Sequence, residues 1–160
     1  ASSGLLSFNL EDYYPKGERL ALDMKDFLFE GLILKEKDFR TLVKDKEWSQ
    51  YKDKFVALYC SADAVVPTWA YMLITTKLEP FAKKIVFGNM EALETALFYE
   101  ALDKINLEDF RDQRVVIKGC SNLPVPVAAY VEISRKLRPV TKSIMYGEPC
   151  STVPLYKRVD

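Results

Sequence analysis

The stretch "VPTWAYMLITTKLEPFAKKIVFG", residues 66–88, occurs a second time 59 residues later as "VPVAAYVEISRKLRPVTKSIMYG", residues 125–147. The two copies share 11 identities in 23 positions, where chance gives roughly one or two. The match extends back more weakly and aligns Phe39 with Phe98. The sequence therefore predicts an internal duplication, with repeat one over about 39–88 and repeat two over about 98–147.

Each repeat has the pattern helix, strand, helix, strand. The segments "KEKDFRTLVKD" and "MEALETALFYEALDKI" carry apolar residues at helical spacing, whereas "KFVALYC" and "RVVIKGC" are short apolar runs typical of buried strands. Strands alternating with helices predict a parallel sheet with right-handed crossovers. We expect a three-layer α/β fold, whose mainly parallel sheet is built from two tandem pseudo-symmetric repeats. Its four strands are expected at about 54–60, 83–87, 114–119 and 142–146.

The segments outside the repeats are shorter and harder to interpret. In the N-terminal β segment, about 1–34, "LLSFNL" and "RLALDMK" alternate apolar and polar residues, which fits either an extra hairpin or edge strands. The C-terminal tail, 148–160, is expected to lie across the surface. A length of 160 residues suits a single domain.

Charge and composition exclude several classes of function. Lys plus Arg and Asp plus Glu are both 23, so no net charge favours nucleic acid or a membrane surface. No apolar run is long enough to span a bilayer. Histidine is absent, which excludes Ser-His-Asp and Cys-His catalysis and imidazole ligands for zinc. Any soft-metal site therefore depends on the cysteines.

The three cysteines occur in similar phrases: "CSADAVVP" from Cys60, "CSNLPVP" from Cys120 and "CSTVP" from Cys150. An odd number of cysteines cannot be fully paired, and no export signal is visible. We therefore expect reduced thiols and a cytoplasmic location.

The predicted strands place these thiols at one edge of a parallel sheet. Cys60 and Cys120 end their strands and Cys150 follows the last one, and ligands bind at the carboxyl edge in open α/β folds. Three thiolates suit an iron–sulfur cluster or zinc. Zinc requires a fourth ligand, for which the nearest carboxylates by this interpretation are Asp63, Glu91 and Glu148.

Each of these residues also has a simpler explanation. Cysteine is often a small buried hydrophobe, which leaves a structural or interaction domain with inert thiols as an alternative. A second alternative is a metal-free nucleophilic thiol, with a carboxylate or Lys118 as the base. Tyr71 and Tyr130 are expected to be either core aromatics or proton donors. Trp69 is expected either to line a cleft or to fill space.

Ser61 and Ser121 have a structural interpretation as well. Each follows a cysteine shortly before a predicted helix, so its hydroxyl is expected to cap the first turn of that helix.

Four long phrases resemble a family of uncharacterised Bacteroidetes proteins, a domain of unknown function: "LEDYYPKGER", "LFEGLILKEKDFR", "CSADAVVPTWAYML" and "GEPCSTVPLYK". The resemblance covers essentially the whole chain. It implies no established activity, but it implies that the gene lies near sulfur-mobilisation (Suf-type) iron–sulfur assembly genes. That context favours an iron–sulfur cluster as the cofactor, iron–sulfur assembly proteins as partners and a role in iron–sulfur metabolism.

Overall fold

A computed structural model describes residues 4–119, 122–148 and 150–159. Within these residues it contains seven strands and four α-helices, in the order β1 (Leu5–Phe8), β2 (Arg19–Asp23), α1 (Glu36–Asp45), β3 (Phe55–Tyr59), α2 (Thr68–Leu78), β4 (Lys84–Phe87), α3 (Met90–Leu102), β5 (Arg114–Ile117), α4 (Val127–Leu137), β6 (Ser143–Glu148) and β7 (Ser151–Lys157). Short 3-10 helices cover Leu10–Tyr13, Met24–Phe27, Trp48–Tyr51 and Leu107–Phe110. The mixed α/β class expected from the sequence is confirmed.

The chain divides into two compact units. The middle unit is Lys16–Leu93, and the terminal unit combines Ala1–Pro15 with Glu94–Asp160, so that the boundary falls within α3. Each unit holds one sheet, because β2, β3 and β4 form one sheet and β1, β5, β6 and β7 form the other. The expectation of one sheet shared by both repeats is wrong.

The reason for two sheets lies in the N-terminal segment, whose two strands go to different units. β1 pairs in parallel with β5, and β2 pairs in parallel with β3. Each therefore becomes an edge strand beside the central strand of its own sheet, which was one of the two arrangements expected. The alternative, a hairpin between β1 and β2, does not form.

The middle unit is built around its central strand β3, which lies between β2 and β4 in a fully parallel sheet. Alternate residues of β3, Val56 and Leu58, pack with α1 and α2 in a buried core. The largest fully buried member of this core is Phe39 of α1. Helical spacing in α1 and α2 thus brings their apolar faces onto one side of the sheet.

The terminal unit has the corresponding elements and one additional strand. β5 lies between β1 and β6 in parallel, and Phe98 of α3 is fully buried in a core with residues of β1, β5 and α4. The tail was expected to lie across the surface, but Ser151–Lys157 forms β7, which pairs antiparallel with β6. The polypeptide that follows β6 turns back at once, because Glu148 pairs with Ser151.

None of the helices in the described residues combines the length and the apolar composition needed to cross a bilayer. The longest described helix, α3, has 13 residues, whereas a spanning helix needs about 20.

Candidate functional site

Cys60 lies directly after β3, at the carboxyl end of the middle unit's sheet. It is half-buried, packs against the edge of that unit's core, and forms no disulfide. Its Sγ lies 3.6 Å from the backbone oxygen of Ala62, to which the thiol donates a hydrogen bond. The structure therefore leaves the Cys60 thiol free and partly accessible.

Asp23, the last residue of β2, binds the residue that follows Cys60. Its Oδ2 accepts a hydrogen bond from the Ser61 hydroxyl at 2.5 Å, and its Oδ1 accepts one from the Ser61 backbone N–H at 3.0 Å. Oδ1 also accepts the backbone N–H of Lys25 at 2.9 Å. The expectation that Ser61 caps the following helix is wrong, because α2 begins only at Thr68 and its cap position is Pro67.

The hydrogen bonds from Ser61 and Lys25 stabilise the ionised form of Asp23. Partial burial alone raises the pKa of this carboxyl group, but hydrogen bonds from Ser61 and Lys25 and the charge of Lys25 outweigh it. The net result is a pKa below the ordinary value of an aspartate. Asp23 therefore carries its negative charge throughout the neutral pH range.

Tyr71 lies on the first half of α2, near Cys60 and Asp23. Burial, followed by the electrostatic influence of Cys60 and Asp23, raises the pKa of its phenol. Its ring meets that of Phe87 edge-on, with 5.0 Å between the centroids. The raised pKa keeps the half-buried phenol protonated at neutral pH, and a proton-donor role for Tyr71 stays a prediction.

Trp69, for which the sequence left a cleft-lining and a space-filling role open, is half-buried against the core of the middle unit. Its ring packs edge-on against Phe39, with 5.6 Å between the centroids, and the Arg40 guanidinium lies 5.3 Å from its centroid. Trp69 therefore supports α1 against α2.

In the terminal unit, the loop after β5 is also held by a carboxylate, from the 3-10 helix that follows the neighbouring strand β1. Glu11 Oε1 accepts the backbone N–H groups of Asn122 and Leu123, the latter at 3.1 Å. Cys120 and Ser121, which the sequence placed at this position, lie outside the described residues.

The aromatic pair of the middle unit has a counterpart beside this loop. Tyr130 and Tyr146 meet edge-on, with 6.0 Å between their centroids. The Tyr146 hydroxyl also donates a hydrogen bond to the backbone oxygen of Gly119 at 3.2 Å. Tyr130 and Tyr146 lie 59 positions after Tyr71 and Phe87, so the second half of the duplicated stretch presents the same kind of contact.

Cys150 lies in the turn between β6 and β7. Its side chain is exposed, and it forms no disulfide. Glu148, the last residue of β6, is half-buried two positions before Cys150. Asp63 is exposed in the loop after Cys60, and Glu91 is exposed in the first turn of α3.

The structure does not assemble a complete ligand set from the residues it describes. Across residues 4–119, 122–148 and 150–159, no three Cys, Asp or Glu side chains form a group that could hold a metal ion. Cys60 belongs to the middle unit and Cys150 to the terminal unit. The predicted three-thiol site requires Cys120, so its geometry stays a prediction.

Sequence reasoning missed Asp23, Glu11 and Phe87. The signal that could have revealed the carboxylates is their position: Glu11 directly follows the alternating run "LLSFNL", and Asp23 is the last residue of the alternating run "RLALD". Once those runs are recognised as parallel edge strands, their ends must lie beside the loops that follow the central strands.

Comparison with known proteins gives one match. No curated protein and no solved structure matches the chain. The model of one family matches residues 1–158, and its description is "Protein of unknown function (DUF2480)". Because that match covers nearly the whole chain, the protein belongs to this family of unknown function.

Proposed function

We propose that this protein binds zinc or an iron–sulfur cluster through Cys60, Cys120 and Cys150. The observation that carries the proposal is that both described thiols are free and at least partly accessible, and that each follows the carboxyl end of a parallel strand, β3 or β6. Thiolates are the preferred ligands of both groups. For zinc, a fourth ligand would come from Asp63, Glu91 or Glu148.

The alternative of inert, buried cysteines has less support. Cys150 is exposed and Cys60 is only half-buried, whereas a cysteine that serves as a core hydrophobe is fully buried. The metal-free thiol enzyme is distinguished by experiment, since it requires one thiol that reacts fast in protein without metal.

We further propose that the two units are pseudo-symmetric copies of each other and together form the single domain expected. Their first strands support this, because Leu5 pairs with Arg114 and Arg19 with Phe55, and the two partners are 59 positions apart. The thiol after each central strand would then be a repeated feature, and Cys150 would be the added one. The role proposed for such a site is in cytoplasmic iron–sulfur metabolism, with iron–sulfur assembly proteins as partners.

The test is metal and sulfide analysis of protein purified without air, together with the variants Cys60→Ser, Cys120→Ser and Cys150→Ser. We expect stoichiometric zinc, or iron with sulfide, in the original protein and a loss of most of it in each variant, because serine does not replace a thiolate ligand. Ser49→Ala is a suitable control, since the Ser49 hydroxyl bonds only to Glu47 on the surface.

Two outcomes would overturn the proposal. Protein prepared without air that holds neither metal nor sulfide, even after reconstitution, would remove its basis. Full metal retention in Cys150→Ser would show that the third thiol is not a ligand.

A further inference from the structure

The loop that carries Cys60, residues 60–67, has no regular secondary structure between β3 and α2. Within the loop itself, the backbone oxygen of Ala62 accepts a hydrogen bond from the Cys60 thiol. Apart from the strand ladders, Asp23 is the only residue beyond this loop that accepts a hydrogen bond from residues 60–66 within the described part of the chain. Besides the packing of Cys60 and Val66 against the core, Asp23 of the neighbouring strand therefore holds the loop next to Cys60.

We infer that Asp23 is a positioning residue for Cys60, which holds the thiol loop in place through the hydroxyl and N–H of Ser61. The inference rests on the proposed function in that it takes Cys60 as a ligand. Asp23 touches no ligand itself. It fixes the residue directly after the thiol with two hydrogen bonds, and bonds to a charged acceptor are stronger than neutral ones.

In the terminal unit, two residues, Asn9 and Glu11, accept the hydrogen bonds that Asp23 alone accepts in the middle unit. Asn9 Oδ1 accepts the backbone N–H of Glu11 at 3.0 Å, as Asp23 Oδ1 accepts that of Lys25 at 2.9 Å. Glu11 then reaches the loop N–H groups of Asn122 and Leu123. In both units a carboxylate at or just after the end of the edge strand holds the loop after the central strand.

This arrangement also determines which ligands the edge favours. Loop N–H groups at the carboxyl edge of a parallel sheet are common binding sites for phosphate and other anions. Here Asp23 and Glu11 occupy such N–H groups, each in its own unit. In the middle unit, the ionised Asp23 leaves a negative charge beside the residue after Cys60, which favours a cation over an anion there.

The experiment measures carbamidomethylation of each cysteine by iodoacetamide in metal-free protein, followed by mass spectrometry of the peptides. Asp23→Asn is nearly isosteric and keeps an oxygen that can accept from Lys25, as Asn9 does from Glu11. It removes the charge and one of the two acceptors that hold Ser61. We expect Cys60 to react roughly three- to tenfold faster in this variant, since the loop opens more often.

Two comparisons separate positioning from general loosening. Cys150 lies in a hairpin turn of the terminal unit and should react at its original rate. The double variant Asp23→Asn, Lys25→Glu copies the Asn9 and Glu11 arrangement into the middle unit, and we expect its Cys60 rate to return toward the original value.

The inference is overturned if Cys60 in Asp23→Asn reacts at the original rate, if Cys150 accelerates equally, or if the double variant stays as fast as the single one. These rates are measured without metal, so they are separate from the test of the proposed function. Faster Cys60 labelling together with an absence of metal in air-free protein would refute metal binding and leave the positioning role standing.

Discussion

Asp53 and Asp112, which lie 59 positions apart, share the same left-handed backbone conformation, each with φ of 60°. Their backbone N–H groups make matching hydrogen bonds, from Asp53 to the oxygen of Phe81 at 3.0 Å and from Asp112 to that of Val140 at 2.8 Å. Each residue lies just before a central strand, in the turn that joins it to the end of a helix. Two positions 59 residues apart therefore share a backbone conformation that L-residues rarely adopt.

This conformation predicts unequal effects on stability for glycine substitutions of Asp53 and Asp112. The left-handed region disfavours residues that have a Cβ atom, and glycine relieves that cost but loses more entropy on folding, so Asp53→Gly should raise the free energy of unfolding by about 0.5 kcal/mol. Asp112→Gly should gain less or lose stability, because the Asp112 carboxylate binds the Arg158 guanidinium at 2.6 Å. Urea unfolding of both variants is the measurement, and a stabilising Asp112→Gly beside a destabilising Asp53→Gly would contradict the explanation.

Asp23 predicts a dependence of stability on pH. Its pKa in the folded protein is lowered, so folding favours the ionised form. The stabilisation is fully present above the unfolded-state pKa of about 4 and is lost as the pH falls through the lower folded-state value. Asp23→Asn should therefore cost about 1 kcal/mol at neutral pH and progressively less in acid.

The measurement for Asp23 is the difference in free energy of unfolding between the two proteins, from chemical denaturation at pH 7, 5, 4 and 3. Ser61→Ala serves as the control, since it removes one hydroxyl donor and leaves the charge in place. A difference that is constant from pH 7 to pH 3 would show that the charge of Asp23 contributes nothing.

We expect the stability of each unit's core to depend to a similar degree on one buried aromatic ring, Phe39 in the middle unit and Phe98 in the terminal unit. Both side chains are fully buried, one in α1 and the other in α3. Replacement of either with alanine should cost about 3–5 kcal/mol through lost burial and the cavity that remains. Tyr99→Ala, at an exposed position next to Phe98, should cost far less. Thermal unfolding measures all three, and a cost below about 1 kcal/mol for either phenylalanine would conflict with its burial.

Replacing Gly147 or Gly88 with alanine should lower the stability of the protein, and the two losses should differ in size. Both have positive φ, of 121° and 136°. A Cβ on Gly147 would lie 2.5 Å from the backbone oxygen of Ser151, whereas one on Gly88 would lie 2.6 Å from the Ala92 side chain. Each alanine variant should lose about 1–3 kcal/mol.

The larger loss is expected for Gly147→Ala, because a backbone atom of the β6–β7 hairpin can move less than the Ala92 side chain. Since this hairpin carries Cys150, the same variant should also speed labelling of that thiol by iodoacetamide. Equal midpoints for Gly147→Ala and the original protein in thermal unfolding would argue against the close contact.

The sequence alone determined the fold class and the elements of the two repeats. Helical spacing places Phe39 and Val43 on one buried face of α1, and the short apolar run "FVAL" is typical of a strand buried on both sides. Such patterns are local, since each depends on neighbours within two turns of helix or one strand. The same local information put Cys60 at the end of β3, where the structure has it.

Only the tertiary structure decided which strands share a sheet. Leu5 pairs with Arg114, more than 100 residues away, and no local pattern in β1 distinguishes that partner from the nearby β2. The contact of Asp23 with Ser61 depends on the same choice, because the two meet only when β2 lies beside β3. The periodicity of the side chains indicates which face of a strand is buried. The strand with which it pairs is determined by packing across the whole unit.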